Sequence, residues 1–166
     1  MDTLPEAPEY EIAGKLIAHL RGDETLRPYV YVKPWSAEEQ NQALAMAAAQ
    51  YKGCIAVAPQ LPATNPNDPD TKAGTLNARL GVVVLCTRNI PGGGSGRMVA
   101  ALLYKALNGV LRWKYSNSGI PYEDPRVESI STLQMQDMPK LENLHGAVAF
   151  VAITHNYQRP IDKNGH

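Results

Sequence analysis

The stretch from Leu76 to Lys114 constrains the chain most, because its periodicity changes in the middle. Leu76, Ala78, Leu80, Val82, Val84 and Cys86 alternate with Asn77, Arg79, Gly81, Val83, Leu85 and Thr87. Successive side chains on a strand point to opposite faces, so the even-numbered set makes one continuous apolar face. The odd-numbered set starts polar and turns apolar at Val83 and Leu85, which predicts a strand that enters the interior partway along. Arg88 and Asn89 end it, and Pro91-Gly92-Gly93-Gly94-Ser95-Gly96 breaks the chain. Beyond the break Met98, Val99, Leu102, Leu103, Ala106, Leu107, Val110 and Leu111 recur at helical spacing. Arg97, Tyr104, Lys105, Asn108 and Arg112 fill the other side. The pattern predicts a strand, a glycine break and a helix whose apolar stripe lies on the sheet.

A glycine run before a helix invites comparison with phosphate-binding loops, where free N–H groups and the helix dipole meet an anion. The P-loop pattern requires Lys and then Ser or Thr after its last Gly, whereas Arg97 and Met98 follow Gly96. The dinucleotide fingerprint requires a third Gly where Arg97 stands. Four glycines and a Ser carry little to pack and much backbone freedom, so a mobile connection is the simpler expectation. A phosphate or nucleotide site using Gly92 to Arg97 is the alternative.

The chain has 166 residues, enough for a single domain over residues 1–166 with a real core. Residues 1–8 and 160–166 are expected to be loose ends. Lys plus Arg equals Asp plus Glu at 16 each, so there is no overall basic field for non-specific nucleic-acid binding. Residues 1–83 hold 7 basic and 10 acidic side chains, and residues 84–166 hold 9 and 6. This mild asymmetry would let copies or partners stack head to tail. Cys54 and Cys86 sit in strand-like apolar runs and are expected to be buried free thiols. With no signal-peptide pattern ahead of them, a disulfide framework is not expected. No apolar run approaches a membrane span, and the chain reads as made in a cytoplasm and soluble there.

Taken in order, Glu9 to Leu20 has helical spacing (Ile12, Ala13, Leu16, Ile17, Leu20), with Gly22 and Asp23 ending it. Tyr29 to Val32 is a short β-type run closed by Pro34. Ser36 and Glu39 form a capping box ahead of an alanine-rich helix from Ala37 to about Gln50. Gly53 stops it, and Cys54 to Ala58 reads as a buried strand. Residues 59–75, with four prolines, read as a long surface loop. After the helix the chain turns irregular to Pro125. Val127 to Met138 has β character with many polar residues, as an edge strand would. Gly146 to Ile153 is apolar on both faces, as a central strand would be. Strands and helices do not alternate strictly, which argues against a doubly wound parallel sheet. The expectation is an α/β (α+β) domain, a mostly antiparallel sheet of about five strands flanked by three helices.

The sequence holds no catalytic motif. His19, His145, His155 and His166 form no ligand pair at helical spacing, and there is no H-E-x-x-H. No G-x-S-x-G elbow is present. Glu38-Glu39 and Glu123-Asp124 are adjacent rather than opposed, and suit capping and solvation better than acid–base work. Tyr29, Tyr31 and Trp35, and Trp113, Tyr115 and Tyr122, are expected to pack in a core or an interface. The expectation is no enzyme, no cofactor and no metal.

Four stretches carry a resemblance. They are the amphipathic N-terminal helix with Tyr29 to Pro34 after it, and the glycine-led strand Gly53 to Ala58. The third is the long strand Leu76 to Asn89 feeding the helix Arg97 to Trp113 with Leu107-Asn108-Gly109 inside it. The fourth is the closing strand Ala147 to Ile153. In this pattern the chain resembles the tail-terminator family of long-tailed bacteriophages, in particular the Mu-like group. The resemblance covers most of the chain; helix 37–50 and the glycine run 92–96 depart from the pattern. It implies a small α/β sandwich that forms a ring, typically hexameric, on the last ring of the tail tube. Such a ring ends tube polymerisation and joins the tail to the head connector, meeting the sheath in contractile tails. DNA passes through it without sequence-specific binding. The implied location is the neck end of the virion tail, after assembly in the host cytoplasm. Another head-to-tail joining protein of the same virion is the close variant. Arg79, Arg88, Arg97 and Arg112 are the candidate interface residues.

Overall fold

The computed structural model describes residue 4 and residues 7–35, 53–63, 75–87, 94–113, 125–132 and 144–156. Helix α1 spans Pro8–Arg21. Proline suits the first turn because its missing N–H would have no helical partner there. Glu9 and Glu11 occupy the first turn and His19 and Arg21 the last, matching the helix dipole at both ends. Gly22 closes the helix, its N–H returning to the carbonyls of Ala18 and His19.

Four strands form one sheet: β1 (Gly53–Ala63), β2 (Thr75–Thr87), β3 (Arg126–Thr132) and β4 (Leu144–Asn156). Helix α2 (Gly94–Arg112) lies between β2 and β3 in the chain. The strand order is β1-β2-β4-β3 and every pairing is antiparallel. The polar strand β3 takes an edge, and the doubly apolar β4 sits inside beside β2, as their compositions predict. Val57, Val82, Ala149 and Ile130 share one row across the sheet.

The alternation along β2 sorts the core into two. Ala78, Leu80, Val82, Val84 and Cys86 join Ile55, Val57, Ala149, Val151 and Ile153 beneath both helices. Ile12, Leu16 and Leu20 of α1 and Leu102, Ala106 and Val110 of α2 close this core from above. Each large aliphatic side chain removed from water here contributes about 2 kcal/mol. Val83 and Leu85 face the other way, against Cys54, Ala56, Ala58, Val148 and Trp35. The partial entry expected for β2 is therefore a second, smaller core on the opposite face.

Three expectations are corrected. Tyr29 to Val32 is not a strand: Arg27–Tyr29 is a 3-10 turn, and Val30 makes a single parallel bridge to Ile55. Tyr31 N–H and Trp35 N–H then reach the carbonyls of Ile55 and Val57. Pro28 and Pro34 bracket this segment and supply no N–H, so it covers the outer edge of β1 at two points without forming a ladder. The described residues thus hold four strands and two α-helices; the third helix expected at 37–50 lies outside them. Part of the loop expected over 59–75 is strand, because β1 runs through Pro59 and Pro62 to Ala63 and β2 starts at Thr75; residues 64–74 lie outside the described residues. Proline is tolerated on an edge strand where its nitrogen faces away from the neighbour. Part of the glycine break expected over 91–96 is helix, since α2 starts at Gly94 and includes Ser95 and Gly96; residues 91–93 lie outside the described residues.

Candidate functional site

The two helices converge at their C-terminal ends. Gly109 of α2 allows this approach: a Cβ built there would lie 2.8 Å from Leu20 Cδ2 of α1. Beside this contact His19 Nε2 donates to the Gly109 carbonyl at 2.9 Å. The carbonyls of a last helical turn lack helical partners, and Trp113 N–H bonds Val110 rather than Gly109. His19 therefore supplies a donor that the helix itself does not. The imidazole also stacks on the buried Trp113 ring, with centroids 6.4 Å apart and planes 29° apart.

The turn after α1 is held by local polar contacts. Asp23 accepts from Thr25 N–H at 2.8 Å and from Leu26 N–H at 3.4 Å. The Thr25 bond is the main cause that lowers the Asp23 carboxyl below its ordinary value of 3.8, and Lys105 adds a smaller attraction. Arg21 donates to the Val30 carbonyl at 3.0 Å, and Arg27 Nε returns a bond to the Arg21 carbonyl at 2.8 Å. This lattice fixes one wall of a cleft of about 620 Å³ between α1 and α2. Its polar lining comes from His19, Asp23, Tyr104, Lys105, Asn108 and Arg112.

Of the arginines singled out in the sequence, Arg112 lines this cleft and is exposed. Arg97 is exposed on the first turns of the same helix. Arg88 lies outside the described residues. Arg79 stands apart, on the sheet face away from the helices. Its guanidinium carbon lies 5.6 Å from the Phe150 ring centroid, and its Nε is 3.4 Å from Glu128 Oε2. That Nε is buried and the geometry is an ion pair without a formed hydrogen bond. Its remaining exposure makes the pair worth little in water, so stacking on Phe150 is the larger contribution. The three described arginines, Arg79, Arg97 and Arg112, do not form one site.

Cys54 and Cys86 are buried free thiols, as expected. They belong to the two opposite cores, so the sheet stands between them. Burial pushes the Cys54 thiol up to about 12 and the Cys86 thiol up to about 11. The aromatic group Tyr29, Tyr31 and Trp35 is likewise divided: Tyr29 packs under the helices and the other two on the opposite face.

Among the described residues no three His, Cys, Asp or Glu side chains gather as a metal would require. No helix among them is long and apolar enough to cross a membrane. The cleft escaped sequence reasoning because His19 and Gly109 are 90 residues apart. The available hint was a glycine inside a strongly periodic helix, which signals a close approach. Comparison with protein-family models and with curated protein sequences finds no match to this chain.

Proposed function

We propose that this chain is a ring-forming structural subunit of a long-tailed phage virion, a tail terminator that caps the tail tube and joins it to the head connector. The observation that carries the reading is the arrangement of the described elements. An antiparallel sheet with a polar edge strand, β3, and two helices on one face is compatible with the small α/β sandwich the resemblance implies. A cyclic ring needs two unlike surfaces per subunit. The exposed strand β3, with Ile130 55% exposed, and the cationic outer side of α2 are two such surfaces at different places on the sheet. Near-zero net charge avoids strong self-repulsion in a closed assembly. The role is structural, without catalysis or cofactor, and its partners are tube protein, head connector and, in a contractile tail, sheath. A second reading as a phosphate-binding domain is weaker, because α2 begins within the glycine run and its exposed Arg97 has no phosphate-loop companions.

Native mass spectrometry over a concentration series tests the proposal. A closed hexameric ring is expected, with ring-shaped particles by electron microscopy. A chain that stays monomeric at every concentration counts against it.

A further inference from the structure

Strand β3 is the open end of the sheet. Six of its seven residues are exposed, and none belongs to either core. Ile130 shares its row with Val57, Val82 and Ala149, yet those three are buried and Ile130 is 55% exposed. A strand exposed on both faces gains little from burial. The direction of its backbone groups follows from the opposite edge. Tyr31 and Trp35 N–H bond the carbonyls of Ile55 and Val57, so these odd-numbered residues of β1 turn outward. A residue's N–H and C=O point to one side of an antiparallel strand, and successive residues alternate. Carried through the register, Val83 and Leu85 turn to β1, Val82 and Val84 to β4, and Val148 and Phe150 to β3. Ser129 and Ser131 therefore turn to β4, and Ile130 and Thr132 present their N–H and C=O groups on the free side. Among the described residues no strand pairs there. The β1 edge is different: the Tyr31 and Trp35 amides occupy it, and Pro59 and Pro62 follow. Arg126–Thr132 contains no proline, and its bulge lies between Val127 and Ser129, short of Ile130.

We propose that β3 pairs antiparallel with β3 of a second copy of this chain, about a two-fold axis at Ile130, and so joins two sheets into one. The edge is complementary to itself. Ile130 meets Ile130, each N–H reaching the other's C=O, with Ser129 opposite Ser131 on both sides. Both Ile130 side chains lie on the face that carries the helices, where they cover each other. Arg126 and Glu128 lie on one side of Ile130, so antiparallel pairing carries the charges of the two copies to opposite ends. Parallel pairing in register would instead set Arg126 against Arg126 and Glu128 against Glu128. A second copy's β1 edge is occupied by its own amides and prolines, so extension of the sheet stops at two copies. The pairing stands apart from the ring reading: a two-fold contact joins two copies and does not close a ring.

Sedimentation velocity and native mass spectrometry over a concentration series compare the full-length wild type with Ile130→Pro, Ile130→Lys and Leu61→Lys. Proline at 130 removes an N–H that turns away from β4, so the strand is retained, as circular dichroism and melting will verify. The wild type is expected to form a dimer that grows with concentration. Each Ile130 variant is expected to need at least about tenfold more protein to dimerise. Leu61→Lys, the same change at the 86% exposed Leu61 of β1, is expected to pair as wild type. In a second measurement Ile130→Cys and Leu61→Cys proteins are mildly oxidised, and the first is expected to cross-link at least about tenfold faster. A wild type that is monomeric throughout overturns the pairing and leaves the edge for a strand of a different chain. Dimers that neither Ile130 variant weakens, or that Leu61→Lys weakens as much, overturn it too. So does Ile130→Cys cross-linking no faster than Leu61→Cys, even where Ile130→Pro fails to fold. Hexamers untouched by the Ile130 substitutions keep the ring and overturn the pairing, whereas Ile130-dependent dimers that never build into rings keep the pairing and overturn the ring.

Discussion

His19 on α1 donates from Nε2 to the carbonyl of Gly109 on α2 at 2.9 Å, across 90 residues of chain. The bond caps the last turn of α2 and holds the two helix ends together over the edge of the core. His19→Ala leaves that carbonyl without the side-chain donor and removes the stack on Trp113. The expected cost is about 1–2 kcal/mol, read as a lower urea midpoint with an unchanged slope. His19→Gln, which can still donate, should recover part of it.

Gly109 and Leu20 should be strongly coupled. Gly109→Ala improves helix propensity by about 1 kcal/mol but drives a Cβ to within 2.8 Å of a buried leucine methyl. Leu20→Ala alone removes a fully buried side chain and should cost about 2–5 kcal/mol. In the Leu20→Ala background the clash is gone, and Gly109→Ala should become stabilising. A double-mutant cycle should therefore show a coupling of about 1 kcal/mol or more, and simple additivity would count against close packing at this point.

The buried thiols predict a fall in stability at high pH. An ordinary thiol titrates near 9.0, whereas Cys54 and Cys86 in the folded protein titrate near about 12 and about 11. Below pH 9 both states hold these protons and stability is unaffected. Above it the unfolded chain ionises first, so stability falls between pH 9 and the folded values. The slope is on the order of 1.4 kcal/mol per pH unit for each thiol. The difference between wild type and a Cys54→Ala/Cys86→Ala variant, followed by denaturant titration at several pH values, isolates this effect. Neither thiol should react with a thiol reagent below pH 9 until the protein unfolds.

Arg79 should matter through Phe150 more than through Glu128. Glu128→Gln breaks a partly exposed ion pair and should change stability by about 0.5 kcal/mol or less. Phe150→Leu removes the ring under the guanidinium, and it should cost about 1 kcal/mol or more through lost packing and cation–π attraction. Thermal melts at low and high salt will separate the two, since the ion pair alone is screened.

Much of the fold is legible because it is written in local periodicity. The even-numbered residues of β2 predict its face under the helices, and the spacing from Met98 to Leu111 predicts the buried stripe of α2. The doubly apolar run at 146–153 predicts an inside strand, and the polar run after Val127 predicts an edge. The readings that failed are those in which a neighbour in space overrides the neighbour in sequence. Tyr29 to Val32 has strand composition, yet prolines on both sides allow it only isolated contacts with β1. Pro59 and Pro62 signal a loop, yet the pairing of Pro59 with Leu80 carries β1 onward.

The sequence by itself determined which segments are amphipathic, which faces they bury and that both cysteines are inside, because those properties depend on residue type and spacing. Only the tertiary structure decided that Cys54 and Cys86 lie on opposite sides of the sheet, that Arg79 stacks on Phe150, and that His19 meets Gly109. Those outcomes depend on strand register and on where two helices cross. Register and crossing are set by the packing of the whole core, which no local pattern contains.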